Sequence, residues 1–370
     1  MIYRQIDGKQ VSSIGIGTGF HDAKKANYEL LEQTVKSSLD AGVNFIDTAP
    51  VYGNGLSEEY LGKVIGSINR DDVFLASKVS PVDTTYNGVI NSVEKSLERL
   101  KTDRIDLCQI HWSSATVPIE ETMSAMEKLV EQGKIRNIGV SNFSLQELVD
   151  ASNCLQGSNM TSIQSEYNFF ERAVEKEVLP FCRKENMFLI AYSPLAQGRL
   201  VNGKEQMKHL EALSKKYGVT NGQMVLRWLV NDPNVIVIPN TSKPHRAIEN
   251  ACAANFTIDE SDIKNMSSLL STEESLIDTR QVRVSDDYGR KVYQTLQEAI
   301  DNKMNMSPSP IELAEQMKQG IFLKPIRLRK LSHSIDDKKY DLVEGRLRFW
   351  SWIVAHGWEK PIPSLVWQDN

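Results

Sequence analysis

Four polar residues end runs or follow runs that are otherwise apolar: Asp47 in VNFIDTA, Tyr52 five residues on in APVYGNG, Lys78 in VFLASKV and His111 at the end of RIDLCQIH. Tyrosine, with an ordinary pKa of about 10, holds its proton at neutral pH but releases it reluctantly. A lysine cation beside it favours the phenolate and lowers that pKa. An aspartate can keep the lysine charged and oriented, and a histidine can donate a hydrogen bond to a carbonyl oxygen. The set suits proton delivery to the oxygen of an aldehyde or ketone while hydride arrives at its carbon. No side chain supplies hydride, so the chemistry implies a nicotinamide cofactor. Singly, each residue has a plainer reading: a turn aspartate, a surface lysine, a packing tyrosine, a core histidine. Their order on successive strand ends is what favours the chemistry.

The elements that would position them alternate regularly. Eight β-like runs occupy 13–18, 43–49, 73–79, 104–111, 135–141, 161–167, 187–193 and 234–240. Most are short and apolar, as strands buried on both faces are. Helical patterns lie between them, for example at 27–42, 89–100, 118–133 and 220–232, with Gly42 and Gly133 placed as C-terminal caps. Eight β/α alternations predict an α/β fold, a (β/α)8 TIM barrel whose reactive residues sit at the C-terminal strand ends. YRQIDGKQVSS at the start predicts a hairpin turning at Asp7-Gly8, set as a plug across the barrel bottom.

A barrel of this kind takes about 250 residues, and the chain has 370, which leaves room for a second unit. Hydrophobic residues at 41%, charged residues at 25% and a net charge of -5 exclude a nucleic-acid or membrane coat over the whole surface. Cys108, Cys154, Cys182 and Cys252 lack the spacing of a disulfide framework or metal site, so no metal is expected. MIYRQIDGKQ has no apolar signal core, and no run approaches the roughly 18 apolar residues of a membrane span. A cytoplasmic protein is expected.

Several segments carry a resemblance. NFIDTAPVYGNGLSEEYLGKVI (44–65) resembles the signature of the aldo-keto reductase family, with Asp47 and Tyr52 at its catalytic positions. ASKV (76–79) and IDLCQIHW (105–112) resemble the family's lysine and histidine strands. IRNIGVSNF (135–143), SIQSEYN (162–168) and AYSPLAQG (191–198) follow in the family's order. The resemblance spans about residues 1–275. It implies a catalytic group of Asp47, Tyr52, Lys78 and His111, reducing an aldehyde or ketone. It implies that Ser141, Asn142 and Gln164 bind the nicotinamide carboxamide and that Tyr192 stacks under the ring. Thr18, Asp47, Ser193, Leu195, Gln197 and Gly198 join the implied cofactor contacts. IPNTSKPHRAIEN (238–250) resembles the adenosine-phosphate segment and implies Ile238, Asn240, Thr241, Ser242, Lys243, Arg246, Glu249 and Asn250. Ser242, Lys243 and Arg246 would hold a 2′-phosphate, at a helix start that favours an anion, with Glu249 and Asn250 near the adenine. NADPH is therefore favoured over NADH. Many members have Lys or Gly directly after the Ile-Pro pair; this chain has Asn240. GIGTG (15–19) is not a dinucleotide fingerprint.

After about residue 275 the pattern changes. Two helices around MSPSP (306–310), a basic strand at 321–331, a turn at DDKK (336–339), a strand at 340–345, an aromatic-rich helix at 346–357 and a strand at 361–367 predict a small α+β domain over 276–370. KPIRLRKL and the stretch to PIPSLV resemble the ParB/sulfiredoxin-like fold, whose Gly-x-x-Arg turn binds phosphate. Here the turn is Gly345-Arg346-Leu347-Arg348, without the acidic residue or reactive cysteine of those families, which argues against CTP hydrolysis and sulfinic-acid repair. Arg327, Arg329, Arg346 and Arg348 are the candidate phosphate contacts. A dimer contact or lid is the alternative, which leaves a homo-oligomer open, and nucleic acid is disfavoured. A rival reading of the whole chain is an NADPH-binding regulatory protein that signals through this domain. A third is a bifunctional enzyme. The carbonyl substrate is not legible: Phe20, His21, Val51 and Trp112 are the expected pocket walls.

Overall fold

The computed structural model describes residues 1–19, 27–114, 116–201, 208–268, 272–285, 293–306, 308–319 and 325–367. Phe20 and His21 lie outside the described residues. The chain forms two compact units, Met1–Glu260 and Ser261–Asn370.

The first unit opens with a hairpin, β1 (Tyr3–Ile6) and β2 (Lys9–Ser12), turning at Asp7 and Gly8 with φ of 47° and 72°. Then strands and helices alternate: β3 (Ile16–Gly17), α1 (Tyr28–Asp40), β4 (Phe45–Asp47), α2 (Leu56–Ile65), β5 (Phe74–Val79), α3 (Tyr86–Leu100), β6 (Ile105–Ile110) and α4 (Ile119–Glu131). They continue as β7 (Ile135–Ser141), α5 (Leu145–Asn153), β8 (Met160–Glu166), α6 (Val178–Lys184), β9 (Phe188–Tyr192), α7 (Lys208–Tyr217), α8 (Asn221–Leu229), β10 (Val235–Val237) and α9 (Pro244–Ala251). The eight strands β3 to β10 pair in chain order, all parallel. The ends meet: Gly15 N donates to Val237 O at 2.8 Å and Val237 N to Ser13 O at 2.9 Å, which closes the barrel.

Alternation along the strands decides what faces inward. Phe45, Phe74, Ala76, Leu107, Ile190 and Ile236 join one buried cluster, and Ile6 and Val11 of the hairpin complete it. The hairpin is thus a plug of apolar side chains on the barrel interior. Helix ends are capped as the sequence indicates. Ser144 and Glu147 form a capping box on α5, and Thr220 and Gln223 form one on α8.

The second unit begins with α10 (Glu260–Ser268) and contains β11 (Thr272–Ile277), β12 (Val282–Arg283), α11 (Leu296–Ile300), α12 (Pro310–Lys318), β13 (Ile326–Ile335), β14 (Lys338–Glu344), α13 (Arg346–His356) and β15 (Ile362–Trp367). Its strands form one mixed sheet in the order β11-β15-β13-β14-β12. Phe349, Trp350 and Ile353 of α13 pack against Ile326, Leu328 and Leu342 of the sheet. Trp350 Nε1 donates to Tyr293 O at 2.8 Å, and Trp358 meets Trp350 edge to face. Trp350 serves the core, while Trp358 beside it is 38% exposed. Strands β11 and β12 have no counterpart in the sequence-based expectation.

Among the described residues no helix is long and apolar enough to cross a membrane, and no cluster of His, Cys, Asp or Glu is arranged for a metal. All four cysteines are free. Cys108 and Cys182 are buried, and burial pushes both thiols up to about 12.

Candidate active site

The alternation that turns Phe45, Ala76 and Leu107 into the barrel core also turns Asp47, Lys78 and Gln109 inward, one step nearer the C-terminal mouth. His111 follows with the same parity. The register sets Lys78 beside Gln109 and Ser141 beside Gln164. Five strands therefore deliver a ring of polar side chains to one end of the barrel.

Lys78 is at the centre. Its Nζ donates to Asp47 Oδ1 at 2.6 Å, to Thr48 O at 3.0 Å and to Tyr52 Oη at 3.3 Å. Both members of the ion pair are buried, with side-chain exposures of 0% and 2%. Burial works against the ammonium charge, but Asp47 first and Tyr52 second outweigh it, and the Lys78 pKa is raised. The lysine is thus a permanent cation. Asp47 is held from its other side by Gln164 Nε2 at 2.9 Å and Gln109 Nε2 at 3.4 Å. Its backbone carbonyl accepts from Thr18 Oγ1 at 3.0 Å.

Tyr52 lies in the loop after β4 and is mostly buried. Burial raises its pKa, Lys78 pulls it back, and Asp47 raises it again; the net direction is up. The sequence expectation of a phenol lowered by its lysine is therefore corrected for the protein alone. Desolvation exceeds the cation's effect, and Tyr52 keeps its proton at neutral pH. The His111 ring stands edge-on to Tyr52 at 5.9 Å between centroids and is stacked on Trp112 at 3.9 Å. Burial first, and the Lys78 charge second, pull the His111 pKa down to about 3. The imidazole is therefore neutral, a hydrogen-bond donor without a charge. Its buried Nδ1 has no hydrogen-bond partner among the described residues.

Next to this group lies a set suited to an amide and an aromatic ring. Asn142, in the left-handed region at φ 61°, donates to His111 O and to Ser141 Oγ, each at 3.1 Å, and accepts from Tyr192 Oη at 3.0 Å. Ser141, Asn142, Gln164 and the half-buried Tyr192 thus converge. Serine hydroxyl, two side-chain amides and an aromatic ring are a donor set that fits a nicotinamide carboxamide and its ring. The loop past Tyr192 carries Ser193 and Gln197 at φ 49° and 55°, followed by Gly198 at 86°, with Leu195 half-buried between them.

The segment that resembles the adenosine-phosphate motif runs from Ile238, 5% exposed, into α9. Asn240 Nδ2 donates to Gly19 O at 2.8 Å, so the departure from the family pattern serves the seam between β10 and β3. Thr241 Oγ1 accepts from Lys243 N at 3.1 Å. Lys243 is the N-cap of α9 and gives it no side-chain cap, while Ser242 and Lys243 are exposed and Arg246 is half-exposed in the first turn. Exposed N–H groups with two cations fit a phosphate. Glu249 accepts from Thr220 Oγ1 at 2.8 Å and so also ties α9 to α8; Asn250 follows it, half-exposed.

Gln109 and Thr48 were not singled out in the sequence. Gln109 stands two residues before His111 in one strand, so strand parity was a sufficient signal. Gln164, expected at the cofactor, also steadies Asp47. Of the expected pocket walls, Val51 and Trp112 are each 44% exposed.

In the second unit Gly345 starts α13 at φ 96°. A Cβ there would lie 2.9 Å from Ile326 Cγ2, so both conformation and space require glycine. Arg327 pairs with Glu344 at 3.1 Å, Arg346 donates to Ser285 O, and Arg348 donates to Pro325 O at 3.1 Å. Arg329 is half-exposed on β13.

The aldo/keto reductase family model matches residues 13–271. The methylglyoxal reductase YeaE of Escherichia coli is 33% identical over 254 residues, 68% of this chain and 88% of the relative. The glyoxal reductase of Bacillus subtilis is 33% identical over 265 residues, 71% and 90% of the two chains. Among solved structures, an aldo-keto reductase of Klebsiella pneumoniae in complex with NADPH is 31% identical with a TM-score of 0.68, covering 73% of this chain and 95% of that one.

Proposed function

The chain belongs to the aldo/keto reductase family, and on that footing we propose that Asp47, Tyr52, Lys78 and His111 carry out its NADPH-dependent reduction of an aldehyde or ketone to an alcohol. The observation that carries the assignment is the buried chain from Asp47 through Lys78 to Tyr52, at 2.6 and 3.3 Å. Bound NADPH supplies the hydride. Ser141, Asn142 and Gln164 would hold its carboxamide, Tyr192 would offer its ring to the nicotinamide, and Ser242, Lys243 and Arg246 would take the 2′-phosphate.

His111, neutral and backed by Trp112, orients the substrate oxygen by donating a hydrogen bond. Tyr52 Oη delivers the proton to that oxygen as it gains charge. Lys78 stabilises the phenolate left behind, which is the moment its charge matters most. Asp47 keeps Lys78 charged and placed. In the reverse direction the same phenolate removes the alcohol proton.

The relatives named for methylglyoxal and glyoxal make short α-oxoaldehydes the first substrates to try. The test is a panel of short aldehydes, α-oxoaldehydes and ketones with NADPH and NADH in parallel, together with the dissociation constant of each cofactor. Turnover favouring NADPH is expected. Tight NADPH binding with no carbonyl reduced would overturn the reading and favour the regulatory alternative.

We assign residues 276–370 to a ParB/sulfiredoxin-like domain and residues 1–275 to the barrel region, although the compact units divide earlier, after Glu260, and β11 joins the second unit's sheet. The assignment rests on the β13–β14 hairpin, Gly345 at the entry of α13, Arg348 in its first turn and β15 returning parallel to β13. A nucleotide or phosphate ligand is proposed at that turn, with a homo-oligomer as the other use of the domain. The cytoplasm is the proposed location, consistent with four free cysteines.

A further inference from the structure

Helix α2 begins shortly after Tyr52, and its first turn grips the barrel wall from behind the catalytic group. The alternation that sends Asp47 and Lys78 inward sends their neighbours Thr48 and Ser77 outward, and both are buried. Ser57 and Glu58, consecutive on α2 and each 0% exposed, meet them there. Ser57 does not serve its own helix. The N-cap of α2 is Gly55, and the hydrogen bonds of the Ser57 hydroxyl leave the helix.

The protons give these bonds a direction. Thr18 Oγ1 donates to Asp47 O at 3.0 Å. Ser57 Oγ donates to Thr18, at 2.8 Å from both its O and its Oγ1. A hydroxyl carries one proton, so Thr48 Oγ1 is the donor to Ser57 Oγ at 3.0 Å. The backbone of the same serine adds a further tie, because Ser57 N donates to Tyr52 O at 3.3 Å. One residue thus holds the Tyr52 loop against Thr18 after β3 and Thr48 after β4. Thr48 O in turn accepts from Lys78 Nζ at 3.0 Å. Glu58 takes the next strand. Its Oε1 accepts at 2.7 Å from Ser77 Oγ, directly before Lys78, and its Oε2 accepts from Arg99 Nε of α3 at 2.8 Å. The support is close-packed, since a Cβ at Gly62 of α2 would collide with Arg99 O.

We propose that Ser57, supported by Glu58, is a positioning residue for the proton transfer: it sets the reach between Tyr52 Oη and Lys78 Nζ, 3.3 Å apart, from behind the barrel wall. This rests on the reductase reading, because only a reaction that runs through Tyr52 senses that reach. The charged and titratable groups that face Tyr52 among the described residues are Asp47 from β4, Lys78 from β5 and His111 after β6. Lys78 is the one that favours the phenolate, so a longer reach to it makes the phenolate harder to form.

The experiment follows reduction of the best aldehyde of the panel, and oxidation of the matching alcohol by NADP+ across pH. It is run on the wild-type protein, Ser57→Ala, Ser57→Thr and Ser77→Ala, with folding checked by circular dichroism. Ser57→Ala removes one oxygen. It should lower kcat for reduction by about tenfold, less than the roughly hundredfold that a misplacement of about 1 Å can cost. KM and the NADPH dissociation constant should stay within about twofold of the wild type. In alcohol oxidation the phenolate is the base, so the limb where the rate rises with pH should move to higher pH. Loosened packing alone would not move it. Ser57→Thr keeps the hydroxyl and should restore both the rate and the limb. Ser77→Ala removes only the hold of Glu58 on β5 and should move the limb the same way, which keeps the test open if Ser57→Ala does not fold. A limb that stays in place in the folded alanine variants would overturn the proposal, whatever happens to kcat. Absence of wild-type turnover with every aldehyde would instead overturn the reductase reading.

Discussion

Replacing Asp47 by Asn keeps the volume of the side chain and removes its charge. The new amide oxygen can still accept from Lys78 Nζ beside Thr48 O and Tyr52 Oη, but no anion then balances the cation, in a site where its own side chain is 0% exposed. Gln164 and Gln109 would also face an amide where they now meet a carboxylate oxygen. Breaking a buried pair from one side costs about 3–5 kcal/mol, because a charge is left without its counter-ion. For a unit of this size that lowers Tm by roughly 10 °C. Thermal unfolding followed by circular dichroism measures it. The double variant Asp47→Asn, Lys78→Met removes the stranded charge and is expected to be more stable than Asp47→Asn alone. Additive losses, or an Asp47→Asn variant within about 1 kcal/mol of the wild type, would refute the electrostatic account of the pair.

His111, with a pKa pulled down to about 3, should make the protein less stable as pH falls. The unfolded chain takes up this proton near the ordinary pKa of about 6.5, and the folded chain does not, so this contribution is lost progressively below that pH. His111→Asn should flatten stability against pH between 6.5 and 4 in denaturant titrations; an unchanged slope would count against a neutral, buried imidazole. Lys243→Ala with Arg246→Ala should weaken NADPH binding by about tenfold or more, as lost charge-assisted bonds do, and leave NADH binding nearly unaltered. Equal losses for both cofactors, by fluorescence titration, would remove these residues from the 2′-phosphate site. Gly345→Val should destabilise the second unit by at least about 1–3 kcal/mol, given a strained φ and a 2.9 Å approach to Ile326. Limited proteolysis would detect it, and wild-type resistance would contradict the geometry.

The barrel was legible because apolar runs and glycine-punctuated helices repeat eight times, and the strands fall within a few residues of those runs. The four residues proposed as catalytic could be singled out from residue type and order, and the structure brings them together. Other features depended on three-dimensional placement. The direction of the Tyr52 shift follows from burial, which the loop sequence APVYGNG does not display. Gln109 was hidden in an apolar strand although its parity with His111 points it inward. Asn240 looked like a weakened phosphate contact, whereas it bonds Gly19 across the barrel seam. In the second unit β13, β14, α13 and β15 were readable from alternation and turns. Strand β11 was not, because TEESLI takes its strand identity from pairing with β15.

The central claim is that Tyr52 Oη gives the proton while NADPH is held by other residues. Tyr52→Phe removes that oxygen and keeps the ring. Single-turnover rates with a reactive aldehyde, measured beside the NADPH dissociation constant of the same variant, test it most directly. Loss of a positioned proton donor should slow the reaction by roughly a hundredfold to ten-thousandfold, with the NADPH dissociation constant within about twofold of the wild type on the uniform-binding logic of mutant kinetics. A variant that reduces the aldehyde at close to the wild-type rate would contradict the claim.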